Sequence, residues 1–109
     1  MPVTIGTVTT FPHPKANKKQ VKKIAEECME VFAAWQEYDY YRRVAVDNAS
    51  RGECDCRDNY NVTFARNELV SECADVITAV CNLLYAIGVD DMRGAMKACE
   101  ERNRERGRL

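Results

Sequence analysis

The chain has 109 residues, enough for one domain with a single modest core, and its sixteen Lys and Arg against seventeen Asp and Glu leave a formal charge of −1. That balance argues against nucleic acid or an anionic membrane held by bulk charge, so any anion site must be local. Six cysteines in so short a chain would suit a secreted, disulfide-bonded protein. Against this, Met1 to Pro12 lacks the basic start and apolar h-region of a signal peptide. The most apolar stretch, Val76 to Ile87, is broken by Thr78 and Asn82 and is too short to span a bilayer. A cytoplasmic protein with reduced thiols is expected.

Met1 to Pro14, rich in Thr and Val and carrying Pro2, Pro12 and Pro14, reads as an extended arm ahead of a helical domain over 15–109. From about Ala16 to Tyr41 the residues Val21, Ile24, Ala25, Cys28, Phe32 and Trp35 recur at three- and four-residue steps without Gly or Pro. This predicts a helix of about 39 Å. Between Arg42 and Asn61 the pattern fails, and Asp47, Asn48, Ser50, Gly52, Asp55, Asp58 and Asn59 supply turn formers, so an inserted loop over about 42–62 is expected. Thr63 would cap a second helix to Ala86, with Leu69, Cys73, Val76, Ile77, Val80, Leu84 and Ile87 as its stripe and Gly88 just past its end. Asp90 would cap a third helix, about Asp91 to Arg104, turning Met92, Ala95, Met96 and Cys99 inward. Cys28, Cys73 and Cys81 fall within the apolar patterns and are expected to behave as small buried hydrophobes. The expected fold is all-α: an antiparallel hairpin of the first two helices, the third packed across them, and a four-helix-bundle-like core completed by oligomerisation.

Chemistry enters with the acids. Glu26, Glu27 and Glu30 form Glu-Glu-x-x-Glu on the first helix, and Glu72-x-x-Asp75 repeats the three-residue step on the second, with Glu68 between them in angle. Acids bordering packed apolar stripes would face each other across a cleft, where two carboxylates 4 Å apart repel by about 4 kcal/mol at an effective dielectric near 20. Protonation, basic partners or a divalent cation must relieve that. An all-oxygen donor set selects Mg²⁺, Mn²⁺ or Ca²⁺ over zinc, and Mg²⁺ held by few carboxylates keeps waters that phosphates can replace. Taken singly, each motif could equally be a solvated helix face with Lys22, Lys23 and Arg66 as partners.

Glu26-Glu27-x-x-Glu30, Glu72-x-x-Asp75, the helix break Gly88-Val89-Asp90 and the tail Arg102-Asn103-Arg104-Glu105-Arg106-Gly107 together resemble the MazG-like branch of the all-α nucleotide pyrophosphohydrolases, over roughly Lys19 to Gly107. The resemblance implies Mg²⁺, with Mn²⁺ as the alternative, held by Glu27, Glu30, Glu72 and Asp75. It further implies phosphate contacts from Asn103 and Arg106, with Lys97 a further candidate. The implied reaction is hydrolysis of a ribo- or deoxynucleoside triphosphate to monophosphate and pyrophosphate, Glu27 or Glu30 taking the water proton. Two features depart from the family: the stretch from Glu30 to Glu72 is longer, and Cys99 stands where a Lys is common.

Trp35, Tyr38, Tyr40 and Tyr41 crowd the end of the first helix, where Trp35 could be core or could stack on a nucleobase. Lys15, Lys18, Lys19, Lys22 and Lys23 read as a solvated basic face with attraction of an anionic substrate as a secondary role. Cys54-x-Cys56 could be half a zinc site, and His13 is the only histidine. The expected assembly is a homodimer or homotetramer. The rival readings are a catalytically silent helical interaction module and a small metal-binding regulatory protein built on the Cys54–Cys56 loop.

Overall fold

The computed structural model describes residues 1–53 and 55–109; Cys54, and with it the proposed Cys54–Cys56 pair, lies outside them. Among the described residues there are three helices and no strands: α1 (Lys18–Ser50), α2 (Cys56–Ala86) and α3 (Arg93–Glu105). The all-α expectation holds.

The inserted loop expected over 42–62 is instead mostly helix. Asn17 caps α1, its side chain accepting from the Gln20 amide at 3.0 Å. α1 then runs 33 residues, about 50 Å. Gly52 ends it: at φ 73° it takes the left-handed position past the cap, and the amides of Gly52 and Glu53 close onto the carbonyls of Ala49 and Asn48 at 3.1 and 2.8 Å. Asp55, rather than Thr63, caps α2 through the Arg57 amide at 3.0 Å. Asn48 Nδ2 donates to Asp58 Oδ2 at 2.9 Å, tying the end of α1 to the start of α2. The turn formers were therefore caps and a bridge around a turn of a few residues. Gly88, at φ 89°, ends α2 as expected. α3 starts after Met92, without the Asp90 cap; Asp91 Oδ1 accepts from the Arg93 amide instead, at 3.0 Å.

α1 and α2 pair as an antiparallel hairpin, and α3 packs against neither. The expectation of a third helix lying across the pair is thus corrected for the single chain. The seam follows an alternating three-four step. On α1 the half-buried positions are Ile24, Glu27, Val31, Ala34, Tyr38, Tyr41, Ala45 and Asn48; facing them on α2 are Asp58, Val62, Ala65, Leu69, Glu72, Val76, Ala79 and Leu83. Among the described residues only Ala65, Ala79 and Asn82 are buried.

Of the stripe read from the sequence on α1, Ile24 lies in the seam and the rest forms a second face. Val21, Ala25, Cys28, Phe32 and Trp35 keep the same three-four spacing, one residue off the seam, and all are exposed; Phe32 retains 57% of its surface and Trp35 42%. Cys28, on this face, and Cys73, on α2 next to the seam residue Glu72, are exposed rather than buried. The molecule exposes 8920 Å², where a compact monomer of its size would expose about 6,100 Å². Its radius of gyration is 18.2 Å against about 13 Å for a compact chain of this length. Because α2 extends well beyond the apolar run seen in the sequence, it is by length and composition alone long and apolar enough to cross a membrane, with a mean hydropathy of 1.4 in its most apolar window.

Candidate metal centre

Glu27 and Glu72 are not beside the seam, as the sequence suggests, but in it. Each occupies a position that the three-four pattern would otherwise give to an apolar residue, and the hairpin turns each toward the other helix. Asp75, one turn on from Glu72 and exposed, completes a group of three whose carboxylate oxygens lie within 4.8 Å of one another. Glu27 keeps only 14% of its side-chain surface, and its Oε1 accepts from Lys23 Nζ at 2.8 Å. That hydrogen bond, and then the charge of Glu27, raise the Lys23 pKa.

Burial pushes the Glu72 carboxyl above the ordinary carboxylate range, and the negative charges of Asp75, Glu30, Glu27 and Glu68 add to it in that order. Glu30 is thus close enough to be felt, yet it is exposed and stands outside the group of three. Glu26 is exposed along the adjoining groove. Three carboxylate donors, one of them already paired with the Lys23 ammonium, could hold a hard divalent cation such as Mg²⁺ or Mn²⁺ once that pair gives way.

The raised Glu72 pKa fixes a sign. A carboxyl whose folded pKa exceeds its unfolded value contributes stability below the unfolded pKa, and loses it as the pH rises through the folded one. In metal-free protein, Glu72→Gln should therefore melt above the unsubstituted chain near pH 8, with the gap closing toward about pH 4, near the unperturbed Glu value. Thermal melts in EDTA across that range check it; a gap independent of pH would refute the raised Glu72 pKa.

The remaining expected site residues are not gathered here by one chain. Trp35 is two helical turns beyond Glu27, on the unpartnered face, with the Arg42 guanidinium 5.6 Å from its ring centroid. Lys97, Asn103 and Arg106 belong to the stretch of α3 and its end, which approaches neither helix; Asn103 Nδ2 instead donates to Cys99 Sγ at 3.8 Å.

One feature escaped the sequence. Asn82, 3% exposed, accepts the Phe11 amide on its Oδ1 at 2.8 Å and so holds the N-terminal arm against α2. Its signal was a lone Asn inside the apolar run Val76 to Ile87. Lys19 and Lys23 stand eight and four residues before Glu27, a spacing that stacks all three on one strip of helix. Compared with family models, curated proteins and solved structures, the chain matches none. The likeness to pyrophosphohydrolases rests on the motif residues alone.

Proposed function

We propose that the chain is a Mg²⁺-dependent nucleoside triphosphate pyrophosphohydrolase, with Mn²⁺ able to substitute, that releases a monophosphate and pyrophosphate. One observation carries the reading: two carboxylates, Glu27 and Glu72, occupy facing seam positions and meet a third, Asp75, within 4.8 Å. Apolar residues there would stabilise the hairpin, whereas three converging acids weaken it unless a cation binds. Glu27, Glu72 and Asp75 would hold that cation, with Glu30 at the margin. A bound divalent cation supplies charge neutralisation at the phosphates and acidifies the attacking water. Glu30, exposed and one turn from Glu27, is free to accept the proton of that water. The reaction itself is supplied by the family resemblance.

Lys97, Asn103 and Arg106 would reach the phosphates from another copy, in a homodimer or homotetramer that buries Val21, Phe32 and Trp35. The large excess of exposed surface supports such an assembly. The cytoplasm, with reduced thiols, is the compartment that fits. The same unpartnered face favours the second reading, a helical interaction module without catalysis.

Pyrophosphate release from a panel of ribo- and deoxynucleoside triphosphates, in Mg²⁺ and in EDTA, decides between them. Release abolished by EDTA is the expected result. No release from any nucleotide by folded, oligomeric protein would leave the interaction module.

A further inference from the structure

Beside the carboxylates lies an open groove of about 710 Å³, walled by Phe11 to Lys15 of the arm and by the first turns of α1, with Thr78, Ala79 and Asn82 of α2 along it. Four lysines line it, Lys15, Lys19, Lys22 and Lys23, together with Glu26, Glu27 and Asp75. The arm is held in place rather than draped. Its Phe11 amide is anchored on the buried Asn82 side chain, and the backbone bends at His13 through a φ of 53°, a conformation that residues other than glycine rarely adopt.

Along α1 the groove changes sign. Lys19 and Lys23 lie about 12 and 6 Å before Glu27 on the same strip of helix. A bare cation would be repelled by such lysines, and a nucleic-acid backbone would need a longer basic track than one groove provides. A ligand with a polyanionic tail, chelated by a cation at one end, matches both halves of the strip.

We propose that this groove is the subsite for the terminal phosphates of a cation-chelated polyphosphate, with Lys19 and Lys23 pairing with phosphate oxygens while Glu27 and Asp75 hold the cation. The proposal rests on the metal reading of the three carboxylates given above. It also assigns a second role to the 2.8 Å pair of Lys23 and Glu27. A cation on Glu27 takes that carboxylate away from Lys23 and frees the ammonium for phosphate, so the cation and the anion assemble the site together.

The test uses the whole chain and a Lys19→Gln/Lys23→Gln double variant. Lys23 is more than half exposed, so the exchange removes its ion pair with Glu27 but no packed side chain from the seam. Calorimetric titration with Mn²⁺ alone, then in Mn²⁺ with inorganic tripolyphosphate and separately with a non-hydrolysable ATP analogue, reads the two halves independently. In the variant Mn²⁺ should bind at least as tightly, while polyphosphate affinity falls roughly tenfold for each lysine removed. A loss for both anions, or for tripolyphosphate alone, supports the subsite; a loss confined to the ATP analogue would put the lysines on the nucleoside part and overturn it. Unchanged affinity for both, loss of Mn²⁺ binding by the variant, or failure of the unsubstituted protein to bind either anion overturns it. Lysine-dependent binding by a protein that hydrolyses no nucleotide would keep the subsite and remove the hydrolytic reading.

Discussion

Asp75→Asn and Glu27→Gln should each lower Mg²⁺-dependent pyrophosphate release at least about a hundredfold while leaving the fold intact, because even groups that only orient metal ligands cost 10–100-fold when lost. Both exchanges keep the size of the side chain and remove one charge. Asp75 is exposed, so nothing packs on the change. Glu27 lies in the seam opposite Glu72, and neutralising it lessens the repulsion that raises the Glu72 pKa. The metal-free variants should therefore melt no lower than the unsubstituted chain, and the rise in Tm produced by Mg²⁺ should disappear. Activity and melting thus move in different directions, which simple unfolding would not give. Turnover by Asp75→Asn like that of the unsubstituted protein would remove Asp75 from the site.

If the proposed assembly forms, Phe32→Glu is expected to dissociate it. Burying a phenylalanine contributes up to about 3 kcal/mol, and across a twofold interface the loss enters twice, about 6 kcal/mol or roughly 10⁴-fold in Kd. Phe32 is 57% exposed in the single chain, so the substitution does not disturb the hairpin seam. Sedimentation velocity over a dilution series reads the result. A protein that is already monomeric before substitution would show that the second apolar face meets some other partner, or none.

How far the sequence carried depended on which residues shared a signal. The helices were visible because three-four periodicity is strong, but α1 carries that spacing twice, in the Ile24–Val31–Tyr38 line and in the Val21–Cys28–Trp35 line. The more apolar line looked like the core, and the line that packs holds Glu27 and Asn48, which disguised it. Composition misled at 42–62 as well. Asp, Asn and Gly mark caps as readily as loops, and Asn48, Gly52, Asp55 and Asp58 here serve as bridge, terminator, cap and bridge around a short turn. Glu27, Glu72 and Asp75 were legible as a group because spacing and residue type agree. The arm was not, since its anchorage is one hydrogen bond between residues 71 apart, and no local pattern records such a contact.

Ala65 and Ala79 are each seven residues from Glu72, one on either side, and both are buried. Alanine lets two helix backbones come close, so these small buried residues one heptad before and one heptad after the acid permit a close approach of α1 and α2 at both places. The spacing of the carboxylate group is therefore governed by two side chains that carry no charge. A methyl group at each place works as a spacer, and the fit of the proposed site to an ion of a given radius follows from how near those two methyls allow the backbones to lie.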